Sequence, residues 1–97
     1  MKINNEKFKA AEEYLRVIVH PSRALILKLI MEKGPISAGN IGKELSKVQT
    51  LISRELKPLR ESGIISFRRQ GKNIFYYLNK EEYDKRVEFA EKINRAG

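Results

Sequence analysis

The chain has 97 residues, of which 41% are hydrophobic, and its 20 lysines and arginines outnumber its 12 acidic residues to leave a net charge of +8. Such a length predicts one small domain rather than two, and such a charge favours a polyanionic partner, nucleic acid before an anionic membrane surface. With no cysteine, the chain has no thiolate metal site, disulfide or cysteine redox sensor. Residues 2–9 are too polar for a signal peptide, and no apolar run reaches the roughly 18 residues that span a bilayer, so we expect a cytoplasmic protein.

An amphipathic helix is predicted over residues 5–19, because apolar side chains recur there with helical spacing. The helix has no charge pattern of its own, so we expect it to pack, either within the monomer or across a dimer. Pro21 then breaks it, since a proline disfavours the helical conformation in the residue before it and is itself tolerated in the first turn of a helix.

A second helix is predicted over residues 22–32 and should form the centre of the core, because apolar residues surround much of its circumference. The residues expected in the core are Leu25, Ile26, Leu29 and Ile30. A Gly-Pro pair ends this helix, and a short third helix follows, capped by Ser37 or Asn40. Between them, Ile36 is expected to add a short strand against a later hairpin.

The next stretch, residues 46–78, holds the features that predict function. Its first half carries apolar residues three or four positions apart and is predicted as a helix that ends at Gly63, a residue free to adopt positive φ. Ser46 with Gln49 three residues later forms a capping-box pattern at its start. Pro58 lies inside this helix, and we favour a kinked but continuous helix over a break just before the proline.

Two short β runs, residues 64–67 and 74–78, follow directly and enclose a basic turn from Arg68 to Asn73. Adjacent tyrosines in the second run alternate between faces, so one should be buried and the other exposed. A helix followed at once by a basic hairpin is the reading unit of a winged helix-turn-helix protein. The helix would enter a major groove, and the hairpin tip would touch the adjacent backbone or minor groove.

The basic excess is concentrated in this unit. Between Lys43 and Lys72 eight basic residues oppose three acidic ones, a net +5 in 30 residues, whereas the other 67 residues carry +3. The candidates for contacts with base edges and phosphates on the helix are Lys47, Gln49, Thr50, Ser53, Arg54 and Lys57. The candidates for phosphate or minor-groove contacts in the hairpin are Arg68, Arg69 and Lys72. The alternative is a solvated polar helix face beside a hairpin edge protected by charge.

A last helix, capped by Asn79, is predicted over residues 80–95. The chain is then one domain, residues 1–97, mainly α with a small β-hairpin, in the order α-α-α-α-β-β-α. The apolar stripes of the first and last helices lie outside the compact helix-turn-helix, and a two-fold dimer is the simplest way to bury them in so short a chain. The predicted interface consists of Phe8, Leu15, Ile18, Val87, Ala90 and Ile93.

Three segments carry recognisable motifs in register. Residues 20–27 read His-Pro-Ser-Arg-Ala-Leu-Ile-Leu, residues 53–65 read Ser-Arg-Glu-Leu-Lys-Pro-Leu-Arg-Glu-Ser-Gly-Ile-Ile, and residues 68–78 contain Arg-Arg-Gln-Gly-Lys before Phe-Tyr-Tyr-Leu. All three resemble motifs of the ArsR-type winged-helix repressors. The first resembles Asp-Pro-Thr-Arg-x-x-Ile-Leu, and the second resembles Ser-x-His-Leu-x-x-Leu-x-x-Ala-Gly-Leu-Val. The third resembles the Arg-Arg-x-Gly-x wing of these repressors. The resemblance covers roughly two thirds of the chain. It implies a homodimeric bacterial or archaeal transcriptional repressor with dimer contacts from the first and last helices.

Some positions depart from the family pattern. Metal-sensing members often carry Cys-x-Cys in the helix before the reading helix, where this chain has Ser37 and Gly39. Others bind metal through Asp and His residues of the last helices, whereas the single histidine here is His20, expected to be structural rather than a pH sensor. We therefore expect no metal site and no cofactor. Val48 and Leu51 also stand where small polar residues are usual, and Leu51 is expected either to touch a thymine methyl or to pack.

The leading hypothesis is a sequence-specific, homodimeric repressor that binds an inverted repeat in double-stranded DNA and, if regulated, responds to an unknown small molecule or protein. Two alternatives stay open. A winged-helix protein–protein adaptor would expose apolar residues on the reading helix, and a nonspecific nucleic-acid-coating protein would show no half-site spacing. An enzyme is not expected, because the sequence has no Ser-His-Asp set, glycine-rich phosphate loop or metal-ligand cluster.

Overall fold

The computed structural model describes the backbone of residues 5–96 and the side chains of residues 9, 11–18 and 20–93. In this part of the chain the helices are α1 (Asn5–Val19), α2 (Pro21–Lys33), α3 (Ala38–Leu45), α4 (Gln49–Glu61) and α5 (Lys80–Ala96). The strands are β1 (Ile36–Ser37), β2 (Ile65–Gln70) and β3 (Asn73–Leu78). This order confirms the predicted winged helix-turn-helix fold, and β1 is the short strand expected at Ile36.

The core forms where α2 packs against α3, α4 and β3. Its residues on α2 are Ile26, Leu27, Leu29 and Ile30. The prediction was wrong at one position, since Leu25 is 52% exposed and Leu27, 3% exposed, is buried instead. Because apolar residues surround much of this helix, its sequence alone does not indicate which side faces the neighbouring helices.

The turn between α3 and α4 differs from the prediction. Ser37 caps α3 as expected, because its hydroxyl accepts a hydrogen bond from the Asn40 N–H at 3.2 Å. Ser46 adopts the left-handed conformation, with φ 55°, and ends α3. It does not begin α4, so the capping box predicted with Gln49 is wrong. The N-cap of α4 is Val48, whose side chain has no hydrogen-bonding atom.

α4 runs without interruption through Pro58, so its continuous course is confirmed and the alternative break is wrong. The proline lies in the last turn, where the missing N–H costs one bond to the Arg54 carbonyl. Helical hydrogen bonding resumes after the proline, since the Ser62 N–H donates to the Pro58 carbonyl at 3.0 Å. It ends just before Gly63, whose φ of 85° fits the predicted stop.

The sheet is antiparallel, with the strand order β1-β3-β2. Gln70 pairs with Asn73, so a two-residue turn closes the hairpin, and Gly71 enters that turn with φ 61°. Glycine at the first position of such a turn matches the twist of the strands, which lets the ladder continue to the turn. The predicted turn from Arg68 to Asn73 was therefore too long, because Arg68 and Arg69 belong to β2.

α5 packs against α1 and is anchored by Arg86, which is only 7% exposed. Its guanidinium donates to the Tyr14 carbonyl of α1 and, at 3.0 Å, to the Ser62 carbonyl at the end of α4. The guanidinium also lies 4.1 Å from the centre of the Tyr14 ring, and Glu82 accepts from its Nε at 3.3 Å. Arg86 thus joins both terminal helices to the helix-turn-helix. Nothing local in the sequence distinguishes this arginine from exposed ones, so its role was not predicted.

Candidate nucleic-acid interface

α4 has a buried apolar side and an exposed polar side. Ile52, Leu56 and Leu59 face the core and are at most 2% exposed. Five candidate reading residues are exposed on the helix: Gln49, Thr50, Ser53, Arg54 and Lys57. Lys47 is exposed as well, but it lies in the turn before the helix, since α4 begins at Gln49. The first turns of α4 are therefore free to enter a DNA groove.

A groove of about 320 Å³ separates α4 from the hairpin of β2 and β3, which we call the wing. Gln49 and Ser53 line it on the helix side, and Lys72 lines it at the tip of the wing. Gly39 of α3 lies in its floor, close enough to the Gln49 side chain that a Cβ there would be 3.5 Å from Oε1. The fold thus brings Gln49 and Ser53 of the helix and Lys72 of the wing onto one concave surface.

The two arginines of the wing lie on opposite faces. Arg69 pairs with Ile74, which lines the groove, whereas Arg68 pairs with Phe75. Because directly paired residues share a face and successive residues alternate, Arg69 is on the groove side and Arg68 on the outer side. The same alternation buries Tyr76, 8% exposed, and exposes its neighbour at 37%, as expected for the tyrosine pair.

A charged cluster that was not predicted from the sequence holds α4 against α2. Glu55 accepts hydrogen bonds from Arg23 Nε at 3.2 Å and from Ser22 Oγ at 3.3 Å. The two charged side chains are 17% and 19% exposed, so water screens this pair less than a surface pair. Ser22 Oγ also lies 2.8 Å from His20 Nδ1. His20 therefore belongs to a local structural cluster, and Arg23 and Glu55 position the reading helix.

Leu51 does not lie on the polar side of α4. It is half-buried and lines a mainly apolar pocket of about 270 Å³ together with Leu25 of α2 and Leu45 of α3. Of the two roles expected for Leu51, packing agrees with this position.

The predicted dimer residues lie on α1 and α5. Four of them line one shallow groove of about 490 Å³: Ile18, Val87, Ala90 and Ile93. Leu15 is half-buried on α1, and the side chain of Phe8 lies outside the described residues. The two helices also meet within the monomer, where the rings of Tyr14 and Phe89 pack edge to face with centroids 5.2 Å apart.

The described part of the chain offers neither a cluster of metal ligands nor a membrane-spanning helix. Among the side chains that the structure describes, no group of three or more His, Cys, Asp or Glu residues could hold a metal ion. Within residues 5–96, no helix is long and apolar enough to cross a membrane.

An exposed polar helix that completes a helix-turn-helix beside a basic β-hairpin defines a winged helix-turn-helix DNA-binding protein. The family model described as "Bacterial regulatory protein, arsR family" matches residues 20–66. An uncharacterized HTH-type transcriptional regulator of Methanocaldococcus jannaschii is 38% identical over 73 residues, which cover 75% of this chain and 82% of that regulator. The chain belongs to the ArsR family of DNA-binding transcriptional regulators, and the family and this relative are described as regulators rather than enzymes.

Two further comparisons agree. The biofilm growth-associated repressor of Agrobacterium fabrum is 35% identical over 74 residues, which cover 76% of this chain but only 62% of the repressor. The crystal structure of NolR from Sinorhizobium fredii superposes with a TM-score of 0.74 at 24% identity, over 96% of this chain and 95% of NolR. The superposition shows the shared fold.

Proposed function

We propose that the protein is a cytoplasmic homodimeric repressor that binds an inverted-repeat operator in double-stranded DNA and does not sense transition metals. In this proposal α4 reads bases in the major groove, the wing holds the adjacent backbone, and α1 and α5 join the two protomers. The proposal requires no cofactor, and it leaves open whether a small molecule or a protein releases the repressor.

The observation that supports it most is the groove between α4 and the wing. Gln49 and Ser53 offer hydrogen-bonding groups on one side, and Lys72 lies on the other. Arg54 and Lys57 extend the exposed face, in the unit that carries a net +5. Amide and guanidinium groups pair with adenine and guanine edges, whereas lysine ammonium groups suit phosphates.

The shallow groove on α1 and α5 supports the dimer. It is lined by four apolar side chains of the predicted interface, and Ile93 is 43% exposed beside Phe89, 36% exposed. Apolar surface of this kind is stabilised when a second copy covers it. In this proposal the two α4 helices of a dimer joined through α1 and α5 bind half-sites one turn of DNA apart, the spacing that helix-turn-helix dimers use. The name of the A. fabrum relative supports repression as the direction of regulation.

Sedimentation and site selection test the proposal together. We expect a dimer at micromolar concentration that enriches, from random duplexes at physiological salt, an inverted repeat with half-sites about 34 Å apart. The logarithm of affinity should fall steeply with the logarithm of salt concentration, because lysines and arginines displace counterions from phosphates. A stable monomer that binds a single half-site tightly would refute the dimer, and binding without any enriched sequence would indicate the nonspecific alternative.

A further inference from the structure

Val48 is the feature of α4 that the proposed contacts leave unexplained. It is 69% exposed, the most exposed of the large apolar side chains described, and it is the N-cap of the reading helix. Valine is a poor N-cap, because it has no oxygen to accept from the free N–H groups of the first turn. The first turn of α4 therefore lacks the capping hydrogen bond that serine or asparagine would supply, and the apolar side chain at this position stays in water. Rules of local stability are commonly broken in this way where a residue has a function.

The position of Val48 limits what can cover it. Recognition helices of helix-turn-helix proteins contact base edges with their N-terminal residues. The next residue, Gln49, already faces the groove between α4 and the wing. In the major groove, the apolar group that a base pair presents is the C5-methyl of thymine. Leu51, the other apolar residue of the first turn, is half-buried in the pocket beside Leu25.

We propose that Val48 reads a thymine in each half-site by packing its two methyl groups against the C5-methyl. This inference rests on the proposed sequence-specific binding and adds one defined base preference to it. Hydrogen-bonding residues such as Gln49 and Arg54 specify other positions, whereas Val48 contributes only apolar contact. The adaptor alternative also predicts an exposed apolar residue here, but it predicts no dependence of DNA affinity on a thymine methyl group.

Replacing thymine by deoxyuridine tests the contact, because that change removes the methyl group and keeps every hydrogen-bonding atom of the base pair. The enriched operator is synthesised with each thymine replaced in turn, and affinity is measured by fluorescence anisotropy. At one thymine per half-site, we expect the wild-type protein to lose about fourfold in affinity, since burying one methyl-sized group contributes about 0.8 kcal/mol. Replacement in both half-sites should cost about fifteenfold.

Two variants assign this loss to Val48. In Val48→Ser the deoxyuridine effect should disappear at that thymine and persist at any other sensitive one. Serine is a favoured N-cap, so this variant should be at least as stable as the wild type in thermal unfolding. Loss of the dependence of affinity on the thymine methyl cannot then be a result of unfolding. Val48→Ile keeps an apolar group at the position and should keep the deoxyuridine effect.

Three results would overturn the inference while leaving sequence-specific binding intact. In the first, the affinity of the wild-type protein does not change with any deoxyuridine replacement. In the second, Val48→Ser loses as much affinity on deoxyuridine replacement as the wild type does. In the third, the effect of deoxyuridine disappears in Leu51→Ala instead of Val48→Ser. If site selection enriches no sequence at all, the proposed function fails as well, and the inference falls with it.

Discussion

At the scale of single residues, the exposed side of α4 divides into side chains that can distinguish bases and side chains that carry only charge. Gln49 and Arg54 belong to the first group, because amide and guanidinium groups form paired hydrogen bonds with adenine and guanine. Lys57 belongs to the second, since an ammonium group meets phosphates without regard to sequence. All three are exposed in the free protein and so are available to DNA.

Gln49→Ala and Arg54→Ala should each cost about 1–3 kcal/mol of binding free energy on the selected operator. Each variant should also lose its preference for the correct base only at particular base pairs. Lys57→Ala is the comparison, and its smaller loss should be equal on all sequences. Competition binding with single base-pair variants of the operator measures both. Losses that do not depend on sequence in the first two variants would exclude these residues from base readout.

The wing arginines should differ in effect, because the alternation along β2 puts Arg69 on the groove side and Arg68 on the outer side. We expect Arg69→Ala to weaken specific and nonspecific binding alike. The slope of the logarithm of affinity against the logarithm of salt concentration should become shallower by about one, as the loss of one phosphate contact predicts. Arg68→Ala, matched in chemistry and position along the chain, should have the smaller effect. Salt titrations of both variants provide the measurement, and equal effects would show that the tip of the wing contacts DNA with both faces.

At the scale of elements, the helix-turn-helix depends on a close approach of α3 to the following turn. The Lys47 N–H donates to the Gly42 carbonyl at 2.8 Å, and a Cβ on Gly42 would lie 2.6 Å from the Lys47 carbonyl oxygen. That oxygen belongs to the backbone and cannot move away as a flexible side chain would.

Gly42→Ala should therefore destabilise the protein by about 1–3 kcal/mol, the usual range for overpacking, although alanine is the better helix former. Gly39→Ala is the matched control in the same helix, since a Cβ there would meet only the Gln49 side chain at 3.5 Å. We expect that control to be neutral or slightly stabilising. Urea unfolding at fixed protein concentration measures both free energies, and a neutral Gly42→Ala would mean that the turn can open without cost.

Arg86 connects elements that are far apart in sequence. Arg86→Met should cost about 3 kcal/mol of unfolding free energy, because it leaves the Tyr14 and Ser62 carbonyls without their charged donor in a buried site. The control is Arg16→Met on α1, where the side chain is 57% exposed and pairs with Glu12 within one helix. Exposed pairs of this kind contribute well under 1 kcal/mol, so the control should change stability little. The same urea titration measures the unfolding free energies of both variants. If Arg86→Met loses as little stability as the control is expected to lose, Arg86 has no structural role.

At the scale of the whole molecule, the chemistry of the chain limits what can regulate it. The sequence has no cysteine and one histidine, and a zinc or copper site needs several nitrogen or sulfur ligands close together. In the proposed dimer, coupling to DNA would act by shifting the two protomers between spacings of α4 that match the operator and spacings that do not. An organic ligand, a partner protein or a change in protein level would each be compatible with that mechanism.

We therefore expect operator affinity to stay constant when zinc, copper, nickel or a thiol oxidant is added, because the sequence has no thiol and only one histidine. Titration of the purified protein on its operator, with a parallel series in excess chelator as control, is the measurement. A tenfold or greater loss of affinity with one equivalent of a transition metal, reversed by the chelator, would contradict the prediction.

The sequence by itself determined the order of the elements and the place of the reading unit. The signals involved are local: Pro21 separates two helices, the Gly63 conformation ends α4, and Gly71 closes the hairpin. Each acts through the backbone of a few neighbouring residues, so no distant contact is needed to interpret it. The polar side of α4 was also predictable, because its apolar residues follow the helical period.

Only the tertiary structure decided how polar residues divide between structure and recognition. Glu55 and Arg86 look like surface charges in the sequence, yet one holds α4 to α2 and the other joins both terminal helices to the end of α4. The burial of Leu27 in place of Leu25, and the partial burial of Leu51 beside the exposed Val48, were equally undetermined. Their partners are supplied by segments distant in the chain, and no periodicity within one element encodes which neighbour will cover which side.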